Sequence, residues 1–194
     1  MEHWKFYLRA RMREALGRRE DAIAEYRAAL RANPAFHRAA NRLAYMLASL
    51  ERYAEAEPHF AEVLRAAPGD ASAHFNLGFT YEKRGLHEQA IARFREATRL
   101  KPGFDRAWYG MGMCHAALGR HDEAAKALHQ AATLQPMNPH AWYALGMAYH
   151  ALNQPANVKS VVLHLVRFDP RMTRRLIVES GRSDLAYLVR DLVN

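Results

Sequence analysis

Thiol and imidazole side chains are the residue types in this chain that most often carry chemistry. The only cysteine, Cys114, precedes His115, and these two types can form a nucleophilic thiolate–imidazole pair. Successive residues of a helix point about 100° apart, so the two side chains are not expected to meet. Of the eleven histidines, none has a partner at the i, i+4 spacing of a helical metal site. We therefore predict no catalytic residue, no metal site and no cofactor.

The elements that position the side chains are predicted to be helices packed around a core. The chain has 194 residues, half of them apolar, with 28 Lys plus Arg against 20 Asp plus Glu. One cysteine excludes a disulfide scaffold, and the longest apolar stretch, residues 158–166, is too short to cross a membrane. The first residues lack the basic and apolar regions of a secretory signal. We expect a cytoplasmic protein.

A period of 34 residues organises the sequence. Five of the eight prolines mark it: Pro34, Pro68, Pro102, Pro136 and Pro170. Four alanines keep the same register, each with a bulky residue four positions later: Ala22, Ala56, Ala90 and Ala124. A fixed period of this length indicates a repeat protein, in which each unit buries its apolar face against its neighbours.

Two units show the repeated pattern most clearly. They read Trp142-x2-Leu145-Gly146-x2-Tyr149 and His74-x2-Leu77-Gly78-x2-Tyr81, the latter followed by Ala90, Phe94 and Pro102. The pattern resembles the tetratricopeptide repeat (TPR) family, with its W-x2-L-G-x2-Y, A-x3-F and P positions. The resemblance covers roughly residues 3–172 and implies an all-α fold. Its expected form is a right-handed superhelical solenoid of helix-turn-helix repeats with a C-terminal capping helix.

The register divides the chain into five units and a tail. The predicted boundaries are 3–36, 37–70, 71–104, 105–138, 139–172 and 173–194. Each proline is expected to end the second helix of its unit. Three glycines and one asparagine are expected to end first helices in the left-handed conformation: Gly17, Gly85, Gly119 and Asn153.

Both ends of the array depart from the pattern. In the first unit, Arg9 and Arg13 replace apolar residues, which predicts an N-terminal cap. The second helix of the fifth unit is unusually apolar, and we expect the tail to cover it with residues that include Leu192 and Val193. Between the ends, Gly78, Gly112 and Gly146 are expected to allow close approach of a paired helix.

The resemblance implies that first helices line a concave groove that holds peptides or helices of partner proteins. Repeat positions two, five, six and nine then place a mixture of aromatic, methionine, amide and arginine side chains there. The predicted binding residues are Arg38, Asn41, Arg42, Tyr45, Phe75, Asn76, Phe79, Arg106, Tyr109, Met113, Tyr143 and Met147. Aromatic and methionine surfaces suit partner binding, and arginine pairs well with carboxylates. We expect an acidic, partly apolar peptide ligand.

Three alternatives stay open for the function. Asn76 and Arg106 match part of the TPR arrangement that clamps a peptide carboxylate, but Asn41, Tyr45 and Gly110 do not. The net charge of +8 also suits a nucleic-acid binder that uses the second helices, which we consider less favoured because the arginines are scattered. The third alternative is a scaffold that assembles into homo-oligomers. An adaptor, scaffold or chaperone-like binding protein without enzymatic activity is the favoured interpretation.

Overall fold

The computed structural model describes residues 1–190, which contain helices and no β-strand. The α-helices are α1 (Glu2–Ala15), α2 (Arg19–Ala32), α3 (His37–Ser49), α4 (Tyr53–Ala66), α5 (Ala71–Lys83), α6 (His87–Leu100), α7 (Asp105–Ala117), α8 (His121–Leu134), α9 (Pro139–Ala151), α10 (Pro155–Leu165) and α11 (Pro170–Glu179). A 3₁₀ helix, Ser183–Val189, follows. The prediction of an all-α fold of helix-turn-helix repeats is confirmed. No helix in residues 1–190 has the length and apolar character needed to cross a membrane.

The helices form two compact units, residues 1–100 and residues 101–194. The N-terminal unit contains α1 to α6, each packed against the next along the chain. Its core is built on fully buried large side chains, among them Tyr26, Leu43, Leu47 and Leu77. Helices of 13 or 14 residues are marginal in water by themselves. This shared core therefore stabilises them.

The turns between paired helices need a residue with positive φ. Gly17, Gly85 and Asn153 take this conformation as predicted, with φ of 73°, 73° and 53°. The second repeat unit has no glycine in the turn between α3 and α4, where Glu51 adopts a φ of 59° instead. That position was not predicted, because a glutamate gives no sign of a left-handed turn.

The C-terminal unit contains α7 to α11 and the 3₁₀ helix. Helix α11 packs against α9, α10 and the 3₁₀ helix. Buried residues of α10, such as Val158 and Val162, share a core with Leu176 and Leu185 from the tail. The tail thus covers the apolar face of α10 as predicted. The predicted capping residues Leu192 and Val193 lie outside the described part of the chain.

Pro170 has a different role from the one predicted for it. Helix α10 already ends at Leu165, and Pro170 is the first residue of α11. The carboxylate of Asp169 caps α11 by accepting a hydrogen bond of 2.8 Å from the backbone N–H of Met172. Proline suits the first helical position, where its missing N–H has no partner to lose.

Gly78, Gly112 and Gly146 lie where their helices are in close contact with a neighbouring helix. A Cβ added to Gly78 would lie 2.9 Å from Phe94 of α6, and one added to Gly112 would lie 2.6 Å from Leu128 of α8. At Gly146 the contact, also 2.6 Å, is Leu176 of α11. In the fifth repeat unit, Gly146 of the first helix, α9, therefore makes room for the capping helix α11. The sequence predicts the paired helix α10 as the partner of Gly146, and this prediction is wrong.

The N-terminal end of the array holds charge where later units hold apolar residues. The guanidinium groups of Arg9 and Arg13 both pair with Glu25 of α2, whose carboxylate is buried. The two arginines therefore compensate a buried charge at this end.

Candidate functional site

A cavity of about 520 Å³ lies between α7 and α9 in the C-terminal unit. Helices α8 and α11 complete its wall. We call it the α7–α9 cavity. It is lined by Tyr109, Met113, Ala116, His121, Leu128, His140, Tyr143, Ala144, Met147, Ala148, His150, Ala151 and Arg175.

Four of the predicted binding residues meet at this cavity. Tyr109 and Met113 lie one turn apart on α7, and Tyr143 and Met147 repeat the arrangement on α9. The 34-residue period places the two pairs at the same repeat positions, and side chains four residues apart share one helix face. All four are partly exposed. They give the cavity an adaptable apolar wall that a ligand can contact.

The polar end of the cavity is formed with help from the capping helix. The guanidinium of Arg175 lies 4.7 Å from the ring centroid of Tyr143. Glu179, one turn further along α11, accepts a hydrogen bond of 2.8 Å from Nε of Arg175 and another from the Tyr143 hydroxyl. The Arg175 guanidinium at this end of the cavity is therefore already paired with the carboxylate of Glu179.

These contacts shift the pKa values of the groups involved. Partial burial and the hydrogen bond to Glu179 raise the pKa of Tyr143 above its usual 10. The neighbouring Arg175, together with the Tyr143 hydroxyl, lowers the pKa of Glu179. At neutral pH the cluster consists of a cation, a carboxylate and a neutral phenol.

The remaining polar lining residues are three imidazoles. His140 and His150 stand at repeat positions two and twelve of α9, and His121 begins α8. None of the described residues that line the cavity is an aspartate or a glutamate. The apolar wall is thus bordered by groups that donate hydrogen bonds or carry positive charge.

Predicted residues of the N-terminal unit pack largely against one another. Nδ2 of Asn76 on α5 donates a hydrogen bond of 2.5 Å to the hydroxyl of Tyr45 on α3. The ring of Phe79 lies 6.4 Å from that of Phe75, which in turn lies 5.8 Å from buried Phe94. The rings of Phe75 and Phe79 remain partly exposed while they contribute to packing between helices.

The predicted groove arginines each contact an acidic or aromatic side chain. Arg42 pairs with Glu14 at 3.5 Å, and both line a second cavity of about 540 Å³ together with Tyr45. Arg38 lies over the ring of Trp4 at 5.7 Å. In the C-terminal unit, Arg106 lies over Phe104 at 5.7 Å and does not line the α7–α9 cavity. Asn41 is partly exposed on α3.

Sequence reasoning missed Arg175, His121 and Leu128 as lining residues. Arg175 lies outside the five repeats, so the 34-residue register says nothing about its direction. Cys114 is buried, as expected from the sequence. Within residues 1–190, no group of three or more His, Cys, Asp or Glu side chains is arranged to hold a metal ion.

Three family models match this chain, and each is described as tetratricopeptide repeat. They match residues 6–36, residues 36–102, and residues 75–136 with 117–157. Together they run from residue 6 to residue 157, well over half of the chain. No curated protein matches the chain in sequence.

Solved structures similar to this chain are TPR proteins or share their fold. YrrB, described as a TPR protein with an unusual peptide-binding site, is 21% identical, with a TM-score of 0.79 over 91% of this chain and 90% of its own. A TPR protein from Parabacteroides merdae is 15% identical, with a TM-score of 0.79 over 95% and 76% of the two chains. MamA from Desulfovibrio magneticus is 18% identical, with a TM-score of 0.75 over 93% and 96%. At these identities the likeness establishes the fold.

Proposed function

The chain belongs to the tetratricopeptide repeat family, and from that premise we propose that it binds a peptide or helical segment of a partner protein at the α7–α9 cavity. Members of this family are typically non-enzymatic interaction modules. The observation that carries the proposal is the convergence of Tyr109, Met113, Tyr143 and Met147 on one open cavity. The peptide-binding site named for the structurally similar YrrB is consistent with this role.

The chemistry of the cavity favours a ligand that is partly apolar and carries a carboxylate. Aromatic and methionine side chains supply contact area that adapts to different apolar groups. Arg175 supplies a guanidinium fork of the kind that pairs with carboxylates. Within the protein, Glu179 accepts a hydrogen bond of 2.8 Å from this guanidinium, which supports a carboxylate as the ligand group.

A peptide ligand is better supported than a nucleic acid. The nucleic-acid alternative relied on arginines of the second helices, such as Arg95 and Arg99. In the structure, Nε and Nη2 of Arg99 donate to Glu96 of the same helix at 2.9 and 2.6 Å. This pairing neutralises part of the charge that phosphates would need.

Peptide selection followed by mutation tests the proposal. A random peptide library is selected against the wild-type protein, and the affinity of a labelled selected peptide is measured by fluorescence anisotropy. We expect Tyr143→Ala or Met147→Ala to weaken binding by roughly tenfold or more, because each removes a central apolar contact. Selected sequences should be rich in acidic and large apolar residues.

The control is Met137→Ala, which removes a methionine that is 69% exposed in the turn after α8. This variant should bind the peptide like the wild type, and all variants should keep the wild-type helicity by circular dichroism. Equal binding by Tyr143→Ala, Met147→Ala and the wild type would refute the proposal, as would a library that yields no enriched peptide.

A further inference from the structure

The outward face of α1 carries a row of apolar side chains that no described residue covers. Leu8, Met12 and Leu16 follow one another at i, i+4 and i+8 and are 63%, 58% and 64% exposed. They lie on the side of α1 opposite its contact with α2, where Ala10 is buried. We call this row, together with Lys5 and Arg9 beside it, the α1 face.

A comparison within the chain shows what kind of surface the α1 face is. Met12 and Met46 occupy the same repeat position, 34 residues apart, yet Met46 is only 8% exposed. Both belong to first helices that pack on a following second helix. Helix α3 differs in having α2 packed against it from the preceding repeat unit. The exposure of Met12 therefore marks the face that a preceding second helix covers elsewhere in the array.

Other positions of this face support the assignment. The equivalents of Lys5 in later units include Ala39, Ala73 and Ala141, which are all buried. Those of Arg9 include Leu43, Leu77 and Leu145, which are buried as well. Each belongs to a helix that follows a packed second helix: α3 after α2, α5 after α4 and α9 after α8. Lys5, Arg9 and Met12 thus lie where a preceding second helix packs in later units. Leu8 and Leu16 border that position, since their equivalents Arg42 and Leu118 stay 41% and 37% exposed.

The charges of the α1 face indicate the kind of helix that fits. Lys5 and Arg9 flank the apolar row, and Arg18 and Arg19 lie beyond its C-terminal end in the turn and at the start of α2. Arg9 pairs with Glu25 on one side while about half of its side chain stays exposed. From the apolar row and its cationic border, we propose that the α1 face binds an acidic amphipathic helix of a partner protein.

Two other occupants fit the charges less well. A second copy of α1 would bring four cations, Lys5, Arg9, Arg11 and Arg13, against their counterparts with only Glu2 and Glu14 to offset them. An anionic membrane would meet a carboxylate as well as cations, because exposed Asp21 lies 4.0 Å from Arg13 at this end. An acidic helix can place its carboxylates beside Lys5 and Arg9 alone.

Two designed peptides test this proposal by calorimetric titration. The first is an alanine-based helix with a leucine stripe bordered by glutamates, and the second has lysines in place of the glutamates. The wild-type protein should bind the glutamate peptide and bind the lysine peptide at least about tenfold more weakly. Lys5→Glu should weaken binding of the glutamate peptide and strengthen binding of the lysine peptide.

Apolar variants separate this face from the α7–α9 cavity. In the Tyr143→Ala background, which weakens the α7–α9 cavity, the double change Leu8→Gln and Met12→Gln should reduce affinity for the glutamate peptide about tenfold or more, while Met137→Gln should leave it unchanged. Since Leu8, Met12 and Met137 are exposed, these changes should not affect folding, which circular dichroism checks.

Four results would overturn the proposal. They are equal affinity for the two peptides, unchanged affinity in the double variant, a wild-type dimer in sedimentation that the double variant abolishes, and binding to phosphatidylserine vesicles without binding to the glutamate peptide. Loss of peptide binding in Tyr143→Ala would instead place the acidic helix at the α7–α9 cavity.

Discussion

Glu179 determines how available the polar end of the α7–α9 cavity is to a ligand. Its carboxylate contacts both Arg175 and Tyr143, the two groups that a ligand carboxylate would use. Both partners are also within reach of the cavity, which they line. An acidic ligand must therefore compete with Glu179 or share Arg175 with it.

Replacing Glu179 by Gln should strengthen binding of an acidic peptide by roughly threefold to tenfold, because charge-assisted hydrogen bonds are about twice as strong as neutral ones. The same change should lower the pKa of Tyr143, since it removes the negative charge that disfavours the phenolate. Burial, the largest cause of the raised pKa of Tyr143, remains in this variant. Fluorescence anisotropy measures the affinity, and ultraviolet titration against Tyr143→Phe measures the pKa.

Arg175→Gln is the matched control for Glu179→Gln. It removes the cation and should weaken the acidic peptide while leaving a neutral peptide of the same apolar sequence unaffected. If Glu179→Gln weakened the acidic peptide as much as Arg175→Gln does, Glu179 would be a ligand contact and not a competitor.

The aromatic and methionine residues of this site could be predicted from the sequence, but its polar end could not. Tyr109, Met113, Tyr143 and Met147 stand at fixed repeat positions, so the period of 34 residues specifies which helix face they occupy. Arg175 and Glu179 belong to the tail, where no repeat constrains direction. Pairing of Arg42 with Glu14 was also missed, because it depends on the relative rotation of two helices 28 residues apart in sequence.

Helix spacing within each unit is set by the small residues of the first helices. A Cβ at Gly112 would meet both Cγ and the backbone nitrogen of Leu128, at 2.6 and 3.2 Å. The three atoms nearest to a Cβ at Gly146 are all in the Leu176 side chain: Cδ2, Cδ1 and Cγ, at 2.6, 2.8 and 3.3 Å. The first contact can be relieved only by moving α8, whereas the second can be relieved by a rotation of one side chain.

Gly112→Ala should therefore destabilise the protein more than Gly146→Ala. Alanine gains about 1 kcal/mol of helix propensity over glycine at either site. At Gly112 we expect overpacking, typically about 1–3 kcal/mol, to exceed that gain, while at Gly146 the two effects should nearly cancel. Urea denaturation followed by circular dichroism measures the free energy of unfolding. A larger loss of stability at Gly146 would contradict this account of the helix contacts.

Most helix boundaries follow from the sequence because turns and prolines recur with the period. The fifth unit is the exception. There α10 has only 11 residues, and Pro170 starts a new helix where the other register prolines follow one. The contact of Gly146 with Leu176 also depends on how the tail folds back, which a repeat pattern cannot specify.

Across the whole molecule, many arginines form ion pairs with nearby glutamates or aspartates. Arg52 contacts Glu20 and Glu55, and Arg27 also contacts Glu55, so α2, α4 and the turn before α4 share one surface network. Exposed pairs of this kind contribute little stability each. Their effect is to neutralise surface charge. Arg175 and Arg9 are paired as well, and they differ in lying beside exposed apolar side chains.

The central claim is that a peptide binds at the α7–α9 cavity, and the methyl groups of the eight methionines can report on it individually. Met113 and Met147 line that cavity, Met111 lines a separate one, and Met12 and Met137 are exposed elsewhere. Methyl NMR spectra of protein labelled at methionine would be recorded during titration with the selected acidic peptide. We predict that the signals of Met113 and Met147 shift while that of Met137 stays in place. Shifts confined to Met12, Met111 or Met137, with Met113 and Met147 unchanged, would contradict the claim.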